Sequence, residues 1–183
     1  FSPKHLAKAM PDASAPRRLV YFPSCINRTM GASEESHGKV KPLADVFVNL
    51  CRKAGYEVIF PANIDGLCCG MIWESKGMPD IADAKTAELE AALLEASEGG
   101  RIPVVCDQSP CLHRMRDHIK SLTLHEPAEF IYDYLAEHLN FHRHDTPVAV
   151  HVTCSSRRMG LADKIVKLAQ LCSSNVLVPE EVG

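Results

Sequence analysis

The chain has 183 residues, 46% of them hydrophobic, a net charge of −3 and eight cysteines. This length holds one domain and part of another, and the apolar share is enough for a buried core. The charge argues against a nucleic-acid partner, which calls for a strongly basic face, and no apolar run reaches the length of a membrane span.

No signal-peptide pattern opens the sequence, so the expectation is a cytoplasmic protein, with any attachment to the inner membrane peripheral and made through partners. In a reducing compartment eight cysteines read as metal or redox residues rather than as disulfide staples. Residues 1–17 contain Pro3, Pro11 and Pro16 with no sustained apolar period, and read as a linker within a longer polypeptide.

Leu19-Val20-Tyr21-Phe22-Pro23 is then a short apolar strand closing in a loop that carries Ser24 and Cys25. Leu43, Val46, Phe47, Leu50 and Cys51 recur at helical spacing up to Gly55, which puts Cys51 on the core face as a small hydrophobe. A second strand, Glu57-Val58-Ile59-Phe60-Pro61, leads through Asp65-Gly66-Leu67 into Cys68-Cys69-Gly70. A helix from Asp80 to Ser97 stops at Gly99-Gly100 and offers Ile81, Leu89, Ala92, Leu93 and Ala96 for packing. The third strand, Ile102-Pro103-Val104-Val105-Cys106, ends in a loop running to Cys111. His113, Arg114, Arg116 and His118 read as a basic, solvated helix start that could also lend positive charge to a thiolate cluster. Pro127–Leu139 reads as an amphipathic helix with Phe130, Ile131, Tyr134, Leu135 and Leu139 inward, and His138, His142 and His144 near its end suit capping.

Apolar strands separated by helices predict an α/β fold of three layers, a mainly parallel sheet with helices on both faces. Sites in such folds gather at the carboxyl ends of the strands. Cys25, Cys68, Cys69 and Cys111 all follow strands, so four thiols distant in sequence can meet. Adjacent sulfurs suit a polynuclear cluster better than a single tetrahedral ion, because a thiolate can bridge two irons. A closed structural zinc site is the alternative, and a thiol–disulfide pair a weaker one, since the spacing of thioredoxin-like motifs is missing.

The segment Val20-Tyr21-Phe22-Pro23-Ser24-Cys25-Ile26-Asn27-Arg28-Thr29-Met30-Gly31 returns as Ala149-Val150-His151-Val152-Thr153-Cys154-Ser155-Ser156-Arg157-Arg158-Met159-Gly160. Leu171-Cys172 matches Leu50-Cys51, and Val176-Leu177-Val178-Pro179 matches Val58-Ile59-Phe60-Pro61. The expectation is one complete module over residues 18–145 and the start of a second over 146–183, with His151 on a strand and Cys172 on a core face. So short a second piece must lean on the first, by joining its sheet edge or by pairing with another copy of the chain.

The ordered set Phe22-Pro23-Ser24-Cys25, Cys68-Cys69-Gly70, Cys106-Asp107-Gln108-Ser109-Pro110-Cys111 and Thr153-Cys154-Ser155 resembles the cysteine-rich Cys-Cys-Gly domain family. Those domains occur in heterodisulfide reductase subunits and in the iron–sulfur parts of glycolate and lactate oxidases; the motifs are most similar to the C-terminal region of bacterial FAD-linked D-lactate dehydrogenases. The resemblance implies an iron–sulfur cluster of 4Fe-4S type held by Cys25, Cys68, Cys69 and Cys111. Cys106 has a lesser claim, because the family pattern closes with two residues between its cysteines where this chain has four. Cys154 would begin a second site. The resemblance further implies an electron-transfer module in an FAD- and Fe-S-dependent oxidoreductase, served by a flavin domain of the same polypeptide and passing electrons to an acceptor.

Overall fold

The computed structural model describes residues 17–30 and 41–179. The linker expected over residues 1–17 lies outside these except for Arg17, which opens the first strand.

Four strands form a parallel sheet: β1 (Arg17–Phe22), β2 (Tyr56–Ile59), β3 (Val104–Cys106) and β4 (Leu124–His125), in the order β2-β1-β3-β4. β1 is central, and Leu19, Val20, Tyr21 and Phe22 are all buried. Side chains of a strand alternate between faces, which assigns the layers. Val20, Phe22, Val104 and Cys106 pack against Leu89 and Leu93 of α4 (Pro79–Ala96) and Leu112 and Met115 of α5 (Ser109–His118). Leu19, Tyr21 and Val105 pack on the other face against Phe47, Val48 and Cys51 of α2 (Leu43–Lys53) and Phe130 of α6 (Pro127–Phe130). The molecule therefore has the three-layer α/β architecture expected from its alternating strands and helices.

Several helices depart from the expected apolar stripes. In α2 the buried residues are Phe47, Val48 and Cys51, while Leu43 and Val46 are exposed. The first turn lines a cleft with Pro127, Ala128 and Ile131, and only the later turns are buried in the core. In α4, Ile81 is exposed and Thr86 is buried in its place among Ala82, Leu89 and Leu93. The segment from Pro127 is not one continuous α-helix: α6 passes into a π turn over Ile131–Leu135 and a 3₁₀ turn over Ala136–His138. Phe130 and Leu135, five apart, are both fully buried; the wider π turn brings that spacing onto one face. Of the histidines expected to cap this helix, His138 lies in the last turn, whereas His142 and His144 fall beyond it.

The second repeat forms its own two-stranded parallel sheet of β5 (Val148–Ala149) and β6 (Val176–Leu177), and so does not extend the first sheet. Val148 pairs with Val176 and Ala149 with Leu177, which is the register of Leu19 with Val58 and Val20 with Ile59 carried over to the repeat. It leans on the first module through helices instead. Lys164 on α8 (Ala162–Cys172) binds Asp133 at 2.5 Å and Glu129 at 3.3 Å. His151 lies beyond β5 and is exposed, contrary to its expected strand position. Cys172 is only half-buried, because no residue of α8 is fully covered. Among the described residues no helix is long and apolar enough to cross a membrane.

Candidate metal centre

The carboxyl edge of the sheet carries the paired cysteines. Cys25 is the first residue of a short helix, α1 (Cys25–Met30), rather than a loop residue, and Cys111 lies in the first turn of α5 rather than on a loop. Pro110 stands inside that first turn, where its missing N–H leaves no helical bond unmade. Cys68 and Cys69 follow a 3₁₀ turn, Ile64–Gly66, and precede α3 (Met71–Glu74).

The thiols are neighbours in series: Cys25 and Cys69 both act on the Cys68 thiol, and Cys68 and Cys111 both act on the Cys69 thiol. Among the described residues no three His, Cys, Asp or Glu side chains gather around one point as a single bound ion would require. The arrangement is a row of sulfurs. The Cys68 thiol is raised above its ordinary range, first by contact with Cys69 and then by burial, while the Gly70 N–H opposes the shift from 3.4 Å. The Cys69 thiol is pushed up to about 12, chiefly by Cys111, with burial adding and the Cys68 contact and the Met71 N–H opposing. Both are protonated thiols near neutral pH, so a metal must displace their protons.

Cys106 is fully buried on β3 in the same core layer as Cys69 and Cys111, and burial pushes its thiol up. Cys154 heads α7 (Cys154–Arg158), is exposed, and opens onto a cleft of about 350 Å³ lined by Met71, Glu74, His113 and Arg158. The two repeats touch beside it, where the Ser109 and Thr153 hydroxyls are 3.0 Å apart. Cys51 is fully buried in the opposite layer, and burial pushes its thiol up to about 12.

Backbone and polar groups fix the row. Gly70 has φ +85°, and a Cβ there would lie 2.4 Å from the Ala82 carbonyl oxygen, 2.8 Å from Thr86 Oγ1 and 2.9 Å from Arg114 Nε. Only glycine fits the third position of Cys-Cys-Gly. The Cys69 carbonyl accepts from Thr86 Oγ1 at 3.0 Å and from Arg114 Nε at 3.2 Å. Arg114 is 2% exposed and reaches Glu74 and, at 2.7 Å, Asp83. The expected solvated helix start therefore contains a buried arginine that pairs with two carboxylates at the surface. Asp107 ties the Cys25 end to the sheet, its Oδ2 accepting from Tyr21 Oη at 2.7 Å and its Oδ1 from Ser24 N at 2.8 Å. Burial and then that bond raise the Tyr21 hydroxyl well above its ordinary range, so it remains a donor.

Thr86 and Asp107 were not expected as partners of the cysteines, and Arg114 was expected only to lend charge, not to bond the Cys69 carbonyl. Two signals were present: a threonine on an otherwise apolar helical stripe, and an arginine one turn beyond Cys111. No family model, curated protein or solved structure matches the chain.

Proposed function

We propose that Cys25, Cys68, Cys69 and Cys111 bind an iron–sulfur cluster of 4Fe-4S type and that the protein is an electron-transfer module. The observation carrying this reading is the set of four neighbouring thiols, drawn from the start of α1, the segment before α3 and the first turn of α5, each after a parallel strand. A set of four sulfur donors is what iron–sulfur clusters take. When bound, the cluster supplies one-electron chemistry.

The chain's own residues do the rest. Gly70 lets the paired cysteines approach the α4 backbone, and Asp107 and Arg114 hold the flanking loops. The N–H groups of Gly70 and Met71 face the Cys68 and Cys69 sulfurs, where they stabilise anionic sulfur. Cys106, fully buried in the same core layer as Cys69 and Cys111, has the lesser claim to a ligand role. By the resemblance, the module belongs to an FAD-linked D-lactate or related 2-hydroxy-acid dehydrogenase, receives electrons from a flavin domain of the same polypeptide, and is not catalytic alone. A closed zinc site uses the same thiols and is the alternative.

Alanine substitutions separate the roles. Cys69→Ala is expected to strip the metal from anaerobically prepared protein. Cys51→Ala is expected to keep it and to lose about 1 kcal/mol of stability. Unchanged iron in the Cys69 variant, read by elemental analysis beside a melting curve, would remove the site from these residues.

A further inference from the structure

Two arginines flank the paired cysteines, and they differ in how their charge is met. Arg114 binds the Cys69 carbonyl from one side, and its charge is met by two carboxylates, Glu74 and Asp83. Arg28 stands on the other side, one turn after Cys25 on α1. Its terminal nitrogens donate to the Ile64 carbonyl and, at 2.9 Å, to the Leu67 carbonyl, immediately before Cys68. The carboxylate that pairs with it, Asp65 at 3.5 Å, is 99% exposed, whereas the Arg28 side chain is 14% exposed. Solvent weakens that pair, and the Phe22 ring, with its centroid 5.8 Å from the guanidinium carbon, is the other group that meets the charge.

Arg28 Nε is buried and has no hydrogen-bond partner. A buried donor left unpaired costs free energy and calls for an explanation. The repeat supplies a contrast. At the matching position Arg157 Nε donates to the Val152 carbonyl at 3.0 Å. Where the thiols are assembled, the same nitrogen is instead left without a protein acceptor, on a side chain that spans from the Cys25 helix to the loop entering Cys68.

We infer that Arg28 is the counter-cation of the metal–thiolate centre, with Nε–H as a hydrogen-bond donor to its sulfur. This rests on the metal-centre reading above and assigns the residue a role in setting the potential as well as in holding the 64–67 loop. A positive charge beside the cluster favours its reduced, more negative form. Arg114, neutralised by its own carboxylates, is the structural member of the pair.

The test is anaerobic reconstitution with iron and sulfide of the full chain, followed by a redox titration read from the visible spectrum. Arg28→Met is expected to lower the reduced-to-oxidised ratio at a fixed potential by about tenfold, or about 59 mV downward for a one-electron couple. Arg28→Lys, which keeps the charge but loses the fork, is expected to recover most of that shift even if the protein is less stable. Arg157→Met is expected to leave the potential unchanged. A loaded Arg28→Met protein with the wild-type potential, or a Lys variant no better than Met, overturns the assignment of Arg28 alone. An Arg28→Met protein that is folded by circular dichroism and takes no cluster, with Arg28→Lys loading normally, supports it. Failure of both variants to load overturns it in favour of a purely structural fork. If the wild type binds no iron, the metal-centre reading and this one fall together.

Discussion

At the scale of single residues, Gly70 shows most directly why the Cys-Cys-Gly motif has its last member. A methyl group would meet the Ala82 carbonyl oxygen at 2.4 Å, and the backbone sits at φ +85°. Gly70→Ala is expected to destabilise the fold by about 2 kcal/mol and to lower metal occupancy, checked by denaturant unfolding and iron analysis of the same preparation. Wild-type stability and occupancy in that variant would show that the loop relaxes. The cysteines themselves were legible in the sequence because each follows a strand, and strand ends on one edge of a parallel sheet are neighbours in space. Arg114 was not legible. Among His113, Arg116 and His118 it looks like part of a solvated run, and only its tertiary position shows it to be buried and paired with Glu74 and Asp83.

Among the elements, β1 to β3 and the long helix α4 followed from apolar runs and turn residues, whereas β4 did not, and the residues expected to start a helix at His113 are the end of α5. α5 carries buried Cys111, Leu112, Arg114 and Met115 among polar neighbours, so no clean stripe marks it, and β4 has two residues. The start of α6 depends on a capping box. The Glu126 carboxylate accepts from Ala128 N at 2.6 Å and Glu129 N at 3.1 Å, and the Glu129 carboxylate accepts in turn from Glu126 N at 3.3 Å. Burial alone would raise the Glu129 carboxyl; His125, Arg116 and the cap overcome it and hold the group at about 2. Its folded value lies below the unfolded one, so its contribution is complete above the ordinary carboxylate range and is lost as pH falls from about 4.5 towards 2. At about 1.36 kcal/mol per unit this is about 3 kcal/mol. Glu129→Gln is expected to flatten the acid limb of the stability curve and to lower stability at pH 7 by a similar amount, measured by urea unfolding across that range. An acid limb unchanged in the variant would assign the loss to other carboxylates. Lys164 joins the same carboxylate from the second repeat, so this variant should also loosen α8.

For the whole molecule, the repeat was readable from the recurring cysteine, arginine, methionine and glycine. Its geometry follows, with the same strand register and the same hydroxyl placed before the cysteine: Ser24 Oγ receives Asn27 N at 3.4 Å, and Thr153 Oγ1 receives Ser156 N at 3.3 Å. How the repeats dock was not readable, since it depends on Lys164 meeting Glu129 and Asp133 and on Ser109 meeting Thr153, contacts that no local pattern encodes. A two-stranded sheet is marginal alone, and its open edges invite pairing. The protein is therefore expected to self-associate with concentration in light scattering; a monomer over the whole range would show that α7 and α8 are anchored well enough by the first module. The central claim concerns what the row of thiols holds. Metal and acid-labile sulfide analysis of anaerobically prepared protein tests it most directly: the account predicts a brown protein with iron and sulfide in equal amounts, about four of each per chain, and a colourless protein carrying zinc, or no metal at all, would contradict it.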